Sequence, residues 1–295
     1  MSSTIVRPRQ GVIGCLFAAL FLYAGFVSPA GALVNGTTDT SAFADFTSPY
    51  RGMDLAGVVS WNNSSAVAIG SRHLLTADHV GGSVGSQFTL HGVTYTATAV
   101  ARAPADPGSS SPVDLRLITL DRELPTYYNI RSAPITSGTA VVSAGYGYTG
   151  TDHGSYYTVN STGRGTLRWG ANQIYYPAIR QMVSGHSSVT FSMKFNSANS
   201  PLESGFAPGD SGGGSFIQAE DGSWELAGIN AYVSYYNGNP AQFNQSYAVS
   251  LAPHLDWINS FISVQSVPEP TSAGIALLAC VAAPCLAASR RRAKC

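Results

Sequence analysis

The pentapeptide Gly209-Asp210-Ser211-Gly212-Gly213 constrains what this chain can fold into more than any other feature of the sequence. It sets a serine hydroxyl in a tight glycine turn with backbone amides free on either side. A nucleophile and a cradle for an oxyanion are thereby built together, from the N–H groups of Gly209 and Ser211. Serine is a poor nucleophile at neutral pH without a base, so the turn demands a histidine and an orienting carboxylate from elsewhere. His79 sits at the end of the apolar run Leu74-Leu75-Thr76-Ala77-Asp78-His79-Val80, and Asp114 heads Asp114-Leu115-Arg116-Leu117-Ile118-Thr119-Leu120. The fold must bring these distant segments to one place, with His79 within about 2.6 to 3.2 Å of both Ser211 and Asp114.

Rival readings bear on two of these residues. Asp106 competes with Asp114, but only Asp114 directly heads a strand-like apolar run. Asp78 either acts on His79 through its charge or points to solvent. His73, His91, His153, His186 and His254 lack partners at ligand spacing and read as surface or packing residues, so neither a metal site nor a cofactor is expected.

Between its ends the chain reads as short strands. Val58-Val59-Ser60-Trp61 and Ala66-Val67-Ala68-Ile69 flank the polar turn Asn62-Asn63-Ser64-Ser65, a hairpin pattern. The stretch from Phe88 to Val100 is rich in Thr, Val and Tyr, with His91-Gly92 as its turn. Pro104 to Pro112 reads as a loop, and Thr149 to Gly165 as a polar, tyrosine-bearing connection. Evenly spaced strands with glycine-rich turns argue for an all-β sandwich or barrel.

Taken in order, the His79, Asp114 and Ser211 segments resemble those of the chymotrypsin-like (trypsin-type) serine peptidases. Gly145-Tyr146-Gly147 is similar to the family's Gly-aromatic-Gly turn, and Gly228-Ile229-Asn230-Ala231-Tyr232-Val233 to its substrate-binding strand. Leu251, Leu255, Ile258 and Ile262, beside Trp257, resemble its closing helix. The resemblance implies two six-stranded antiparallel β-barrels packed together with a short C-terminal helix, His79 and Asp114 in the first barrel and Ser211 in the second. It further implies that Gly205 lies at the base of the specificity pocket, where a carboxylate would select Arg or Lys. Val233 would narrow the pocket entrance, so small apolar residues are the expected preference, although Glu203 could reach the pocket if the loop is rearranged. Ala231, Tyr232 and Val233 would pair with substrate as an added strand.

The ends differ from the body. Residues 1–32 combine Arg7 and Arg9, an apolar stretch from Val12 to Val27 and the small-residue site Ser28-Pro29-Ala30-Gly31-Ala32, and read as a signal peptide cut by signal peptidase, with an uncleaved anchor as the alternative. Cleavage after Ala32 exposes Leu33-Val34-Asn35-Gly36, similar to the mature terminus of activated trypsin-type peptidases; there the new ammonium group pairs with the aspartate before the nucleophile, here Asp210. Residues 264–295 carry Val267-Pro268-Glu269-Pro270, an apolar segment from Thr271 to Ala288 and Arg290-Arg291-Arg292. This resembles the PEP-CTERM sorting signal of bacterial exported proteins, which implies an exosortase-like sorting enzyme as partner. The apolar part is about 18 residues long and contains Pro284, marginal for a transmembrane span; a plain tail anchor is the alternative.

Charge and cysteine usage narrow the function classes. The chain has 16 basic and 16 acidic residues, but residues 33–266 keep 10 basic and 15 acidic side chains, a formal balance of −5. No basic stripe remains to bind nucleic acid. Cys15, Cys280, Cys285 and Cys295 all lie in the terminal segments, so the domain at 33–263 must be held by its core without disulfides. The reading is therefore an exported serine endopeptidase of the extracellular space or cell envelope, acting on protein or peptide substrates. A catalytically silent surface or matrix binding module on the same fold, and an acyl-ester hydrolase, are the alternatives.

Overall fold

Asn62 and Asn63 both adopt left-handed backbone, with φ of 46° and 57°, which closes the two-residue hairpin between β2 (Val58–Trp61) and β3 (Ser64–Gly70). Two positive φ values in succession give the turn the twist that flanking strands require. His91 and Gly92 do the same, at 50° and 79°, between β5 (Gln87–Leu90) and β6 (Val93–Arg102). With β4 (His73–Thr76) and β7 (Arg116–Leu120) these strands form a six-stranded sheet in the order β2-β3-β4-β7-β6-β5. The computed structural model describes residues 33–35, 50, 52–200 and 202–262. The expected signal peptide and the expected sorting segment both lie outside the described residues.

The second sheet has eight strands. They are β8 (Ala140–Gly145), β9 (Gly150–Asp152), β10 (Tyr157–Val159), β11 (Arg168–Val183), β12 (His186–Lys194), β14 (Gly214–Gln218), β15 (Trp224–Tyr236) and β16 (Asn239–Ser250). Their order is β12-β11-β8-β14-β15-β16-β10-β9, and β12 also pairs with β16, which curls the sheet back on itself. Two barrel-like sheets, mostly antiparallel β structure and one short terminal helix, α1 (Leu255–Ile262), match the expected fold class. The excess over six strands comes from β9 and β10. Both lie in the stretch from Thr149 to Gly165 that reads as a plain connection, and Tyr157 within it is fully buried.

Each sheet encloses its own core. Trp61, Leu74, Phe88, Tyr95 and Ile118 fill the first, while Leu33, Val141, Ile174, Phe191 and Ile217 fill the second. A third cluster joins them: Val67, Leu75 and Leu117 meet Val142, Phe216 and Val249, and Leu251 and Ile258 close it from the C-terminal side. Burial of a large apolar side chain stabilises a fold by about 1.5 to 3 kcal/mol, so this shared layer holds the sheets face to face without disulfides. Among the described residues no helix is long and apolar enough to cross a membrane.

Candidate active site

The end of β4 turns into a single 3-10 turn, Asp78–Val80, that presents His79 at the junction of the sheets. Asp114 lies just ahead of β7, fully buried, and grips this turn twice. Its carboxylate accepts the His79 backbone N–H at 2.9 Å and contacts His79 Nδ1 at 2.7 Å. Burial works against the Asp114 charge, but the hydrogen bonds and charge of His79 outweigh it and hold the carboxyl below the usual carboxylate range. The His79 side chain remains 32% exposed, so one face of the ring is open to the cleft. Asp106 is engaged elsewhere, with Arg180 Nη1 at 3.0 Å.

Ser211 comes from the loop between β13 (Ser204–Gly205) and β14. In that loop the N–H groups of Asp210, Gly212 and Gly213 donate to the carbonyls of Ala207, Asn230 and Asp210, whereas those of Gly209 and Ser211 have no hydrogen-bond partner among the described residues. Two unpartnered amides flanking a serine are a preformed cradle for a developing oxyanion. Gly209 has φ of 97°, and a Cβ there would lie 2.8 Å from Gly147 Cα, so only glycine fits. The loop is tied to the first sheet at Ser65, whose N–H donates to the Ser211 carbonyl at 3.0 Å and whose own carbonyl accepts Thr76 Oγ1 at 2.7 Å. Tyr232, which lines a cavity beside Ser211, stacks near the His79 ring, so Ser211 and His79 lie on the same side of the junction. Among the described residues no hydrogen bond joins Ser211 to His79, a contact that in such sites tightens with bound substrate.

Asp210 is buried and turned inward. It accepts N–H groups from Ala207 at 2.8 Å, Gly147 at 2.8 Å and Leu33 at 3.3 Å. Burial pushes its pKa up to about 7 even though these amides and the Arg168 charge pull the other way. The short strand β1 (Val34–Asn35), paired with β13, delivers Leu33 to this position.

A cavity of about 200 Å³ opens beside Ser211, lined by Phe206, Ala207, Pro208, Ala231, Tyr232 and Val233. Past Ile229 the chain of β15 no longer pairs with β14, which leaves one edge of Ala231, Tyr232 and Val233 unpaired among the described residues. Gly205 departs from expectation. It is not among the lining residues; it pairs with Val34, and any side chain there would overlap the ring of Tyr157. Glu203 faces a separate cleft shared with Lys194 and Tyr175, and accepts Asn196 N–H at 2.5 Å. Among the described residues no carboxylate lines the cavity beside Ser211.

Two further departures concern Asp78 and His186. Asp78 does not point to solvent: it is buried, and its carboxylate accepts from Arg102, from Arg116 Nε at 2.9 Å and contacts His186 Nε2 at 2.9 Å. Burial opposes the Asp78 charge, yet these partners hold its carboxyl below the usual range. His186, on β12 of the second sheet, is thus a hydrogen-bonding residue as well as a packing one, and its Nε2 also lies 4.0 Å from Asp114. Ser188, two residues on, accepts the Asp114 N–H at 3.0 Å. Tyr232 stacks near the His79 ring, with centroids 6.3 Å apart, and burial together with the Asp114 charge raises its phenol pKa. Nothing local in the sequence distinguishes Ser65, His186 or Ser188; the contacts that tie Ser65 to Gly209, His186 to Asp78 and Ser188 to Asp114 span 144, 108 and 74 residues. Among the described residues no three His, Cys, Asp or Glu side chains converge so that they could hold a metal ion.

The sequence matches the family profile described as trypsin over residues 47–258. Among solved structures, similarity extends to the active form of the Rv3671c protease of M. tuberculosis, at 17% identity over 68% of this chain and 73% of that chain with a TM-score of 0.46. Neuropsin, a serine protease expressed in the limbic system of mouse brain, is similar at 19% identity over 67% of this chain and 88% of that chain, with a TM-score of 0.46. Comparison with curated protein sequences returned no significant match.

Proposed function

The chain belongs to the trypsin family of serine peptidases, and from that membership we propose that it is an endopeptidase working through His79, Asp114 and Ser211. The observation that carries this reading is the double grip of the buried Asp114 carboxylate on the ring and backbone of His79, beside a serine loop in which the Gly209 and Ser211 amides have no partner among the described residues. Ser211 Oγ attacks the acyl carbon while its proton passes to His79 Nε2; Asp114 keeps the Nδ1 proton in place. The carbonyl oxygen, now negative, sits between the Gly209 and Ser211 amides. His79 returns the proton to the departing amine, the C–N bond breaks, and water repeats the sequence in reverse to release the acid.

The cavity beside Ser211 supports a preference for small apolar side chains on the acyl side, because Val233 stands in its wall and no carboxylate among the described residues lines it. Export completes the proposal. Removal of residues 1–32 by signal peptidase frees the Leu33 ammonium, which takes the place of the Leu33 amide at Asp210 and orders the oxyanion loop. Residues 264–295 then serve as an exosortase-read sorting signal that leaves the domain at 33–263 in the extracellular space or envelope.

An active-site-directed serine phosphonate, applied to the protein beginning at Leu33, tests the assignment. Labelling of the native protein and none of Ser211→Ala, together with turnover of peptides ending in Ala or Val at the cleaved bond, is the expected result. Absence of labelling makes the domain a binding module, and turnover of esters without peptides makes it an esterase.

A further inference from the structure

Arg164 lies in the connection between β10 and β11, and its side chain reaches the β2–β3 hairpin of the first sheet. The guanidinium donates to the carbonyl of Asn63 at the tip of the β2–β3 hairpin, and its carbon sits 5.2 Å from the centre of the Tyr148 ring. Its Nε passes 3.2 Å from where a side chain on Gly209 would begin, which places the cation beside the proposed oxyanion donor. Every other exposed arginine among the described residues pairs with an Asp or Glu. Arg164 has no carboxylate partner among them, in a domain whose formal balance is −5.

We propose that Arg164 selects substrates with an acidic side chain on the leaving-group side of the cleaved bond, at the first or second position. The inference rests on the endopeptidase reading. The acyl-side residue enters the cavity formed by Phe206–Pro208 and Ala231–Val233, to which Arg164, Tyr148 and Asn63 do not contribute. The departing chain passes the Gly209 amide along the other flank, where the Asn63 carbonyl and Arg164 form the wall. A guanidinium carries five N–H donors in a fixed fork, so the contact with Asn63 leaves others to hold a carboxylate. Packing on Tyr148 limits the conformations of the long side chain before substrate arrives, which lowers the entropy lost on binding.

The test uses internally quenched peptides identical except for Glu, Gln or Lys at the second leaving-group position, with active enzyme counted by phosphonate titration. Native protein is expected to favour Glu over Lys about three- to fivefold in kcat/KM, the scale of a solvent-accessible ion pair. In about 1 M salt the ratio falls towards one, since screening then acts over about 3 Å. Arg164→Gln brings the ratio to about one at low salt, and Arg164→Glu reverses it. Equal rates in the native protein, or a ratio that survives both substitutions, overturns the inference. So does an equal loss for every peptide, which makes Arg164 a tie between the sheets and nothing more. Failure of both labelling and peptide turnover overturns the endopeptidase reading itself, and the inference with it.

Discussion

Ser65 Oγ donates a 2.9 Å hydrogen bond to the carbonyl of Gly209, joining the first sheet to the loop that carries Ser211. The same hydroxyl accepts the Tyr146 N–H at 2.9 Å. One fully buried serine therefore sets the height of the nucleophile loop against both β3 and the Gly145-Tyr146-Gly147 turn. Ser65→Ala leaves the buried Gly209 carbonyl without its partner, at a cost of about 1 to 3 kcal/mol, and frees the part-buried Tyr146 amide. Denaturant unfolding is expected to show that loss. Phosphonate labelling is expected to slow because the Gly209 peptide is released; labelling at the native rate shows that the backbone bond from Ser65 to Ser211 suffices to hold the loop.

The two candidate acids separate cleanly by substitution. Asp114→Asn keeps the shape but offers His79 Nδ1 an amide, which stabilises the wrong tautomer; kcat is expected to fall about 10⁴-fold. Asp106→Asn, which touches Arg180 at 3.0 Å and lies 3.9 Å from His254, leaves kcat within about twofold. Equal losses from the two variants overturn the assignment of Asp114.

Asp210 predicts an unusual pH dependence. With Leu33 in peptide linkage the folded carboxyl titrates at about 7, well above its value in an unfolded chain. Between about pH 4 and pH 7 the folded state holds a proton that the unfolded state has released, so stability falls as pH rises through that window and then levels off. In a chain beginning at Leu33, an α-ammonium faces Asp210 and lowers its pKa, which flattens the profile. Urea midpoints from pH 4.5 to 7.5 for the processed protein and for one extended before Leu33 give the comparison. The same slope in both forms refutes pairing of the new terminus with Asp210.

Val233 limits the cavity beside Ser211, and Val233→Gly is expected to open it. Relative kcat/KM for Phe over Ala at the acyl position rises about tenfold or more, since each added methylene buried in an apolar pocket is worth about 0.8 kcal/mol. Peptide mixtures analysed by mass spectrometry read the change directly. A preference unmoved by the substitution places the limit at Phe206 instead.

Legibility in the sequence followed locality. The glycine turn at 209–213, the His79 and Asp114 segments, the Asn62-Asn63 and His91-Gly92 hairpins and the absence of cysteine from residues 33–263 are all properties of short stretches. Strand alternation and left-handed turn residues act over a few residues, so the chain alone determined the all-β class and the candidate triad. The contacts of Ser65, His186 and Arg164, the inward turn of Asp78 and the packing of Gly205 against Tyr157 were decided by tertiary structure. Each depends on a hydrogen bond, ion pair or overlap between residues from different strands, often from different sheets. Such contacts fall off within a few ångströms of space, and spacing along the chain carries no record of them.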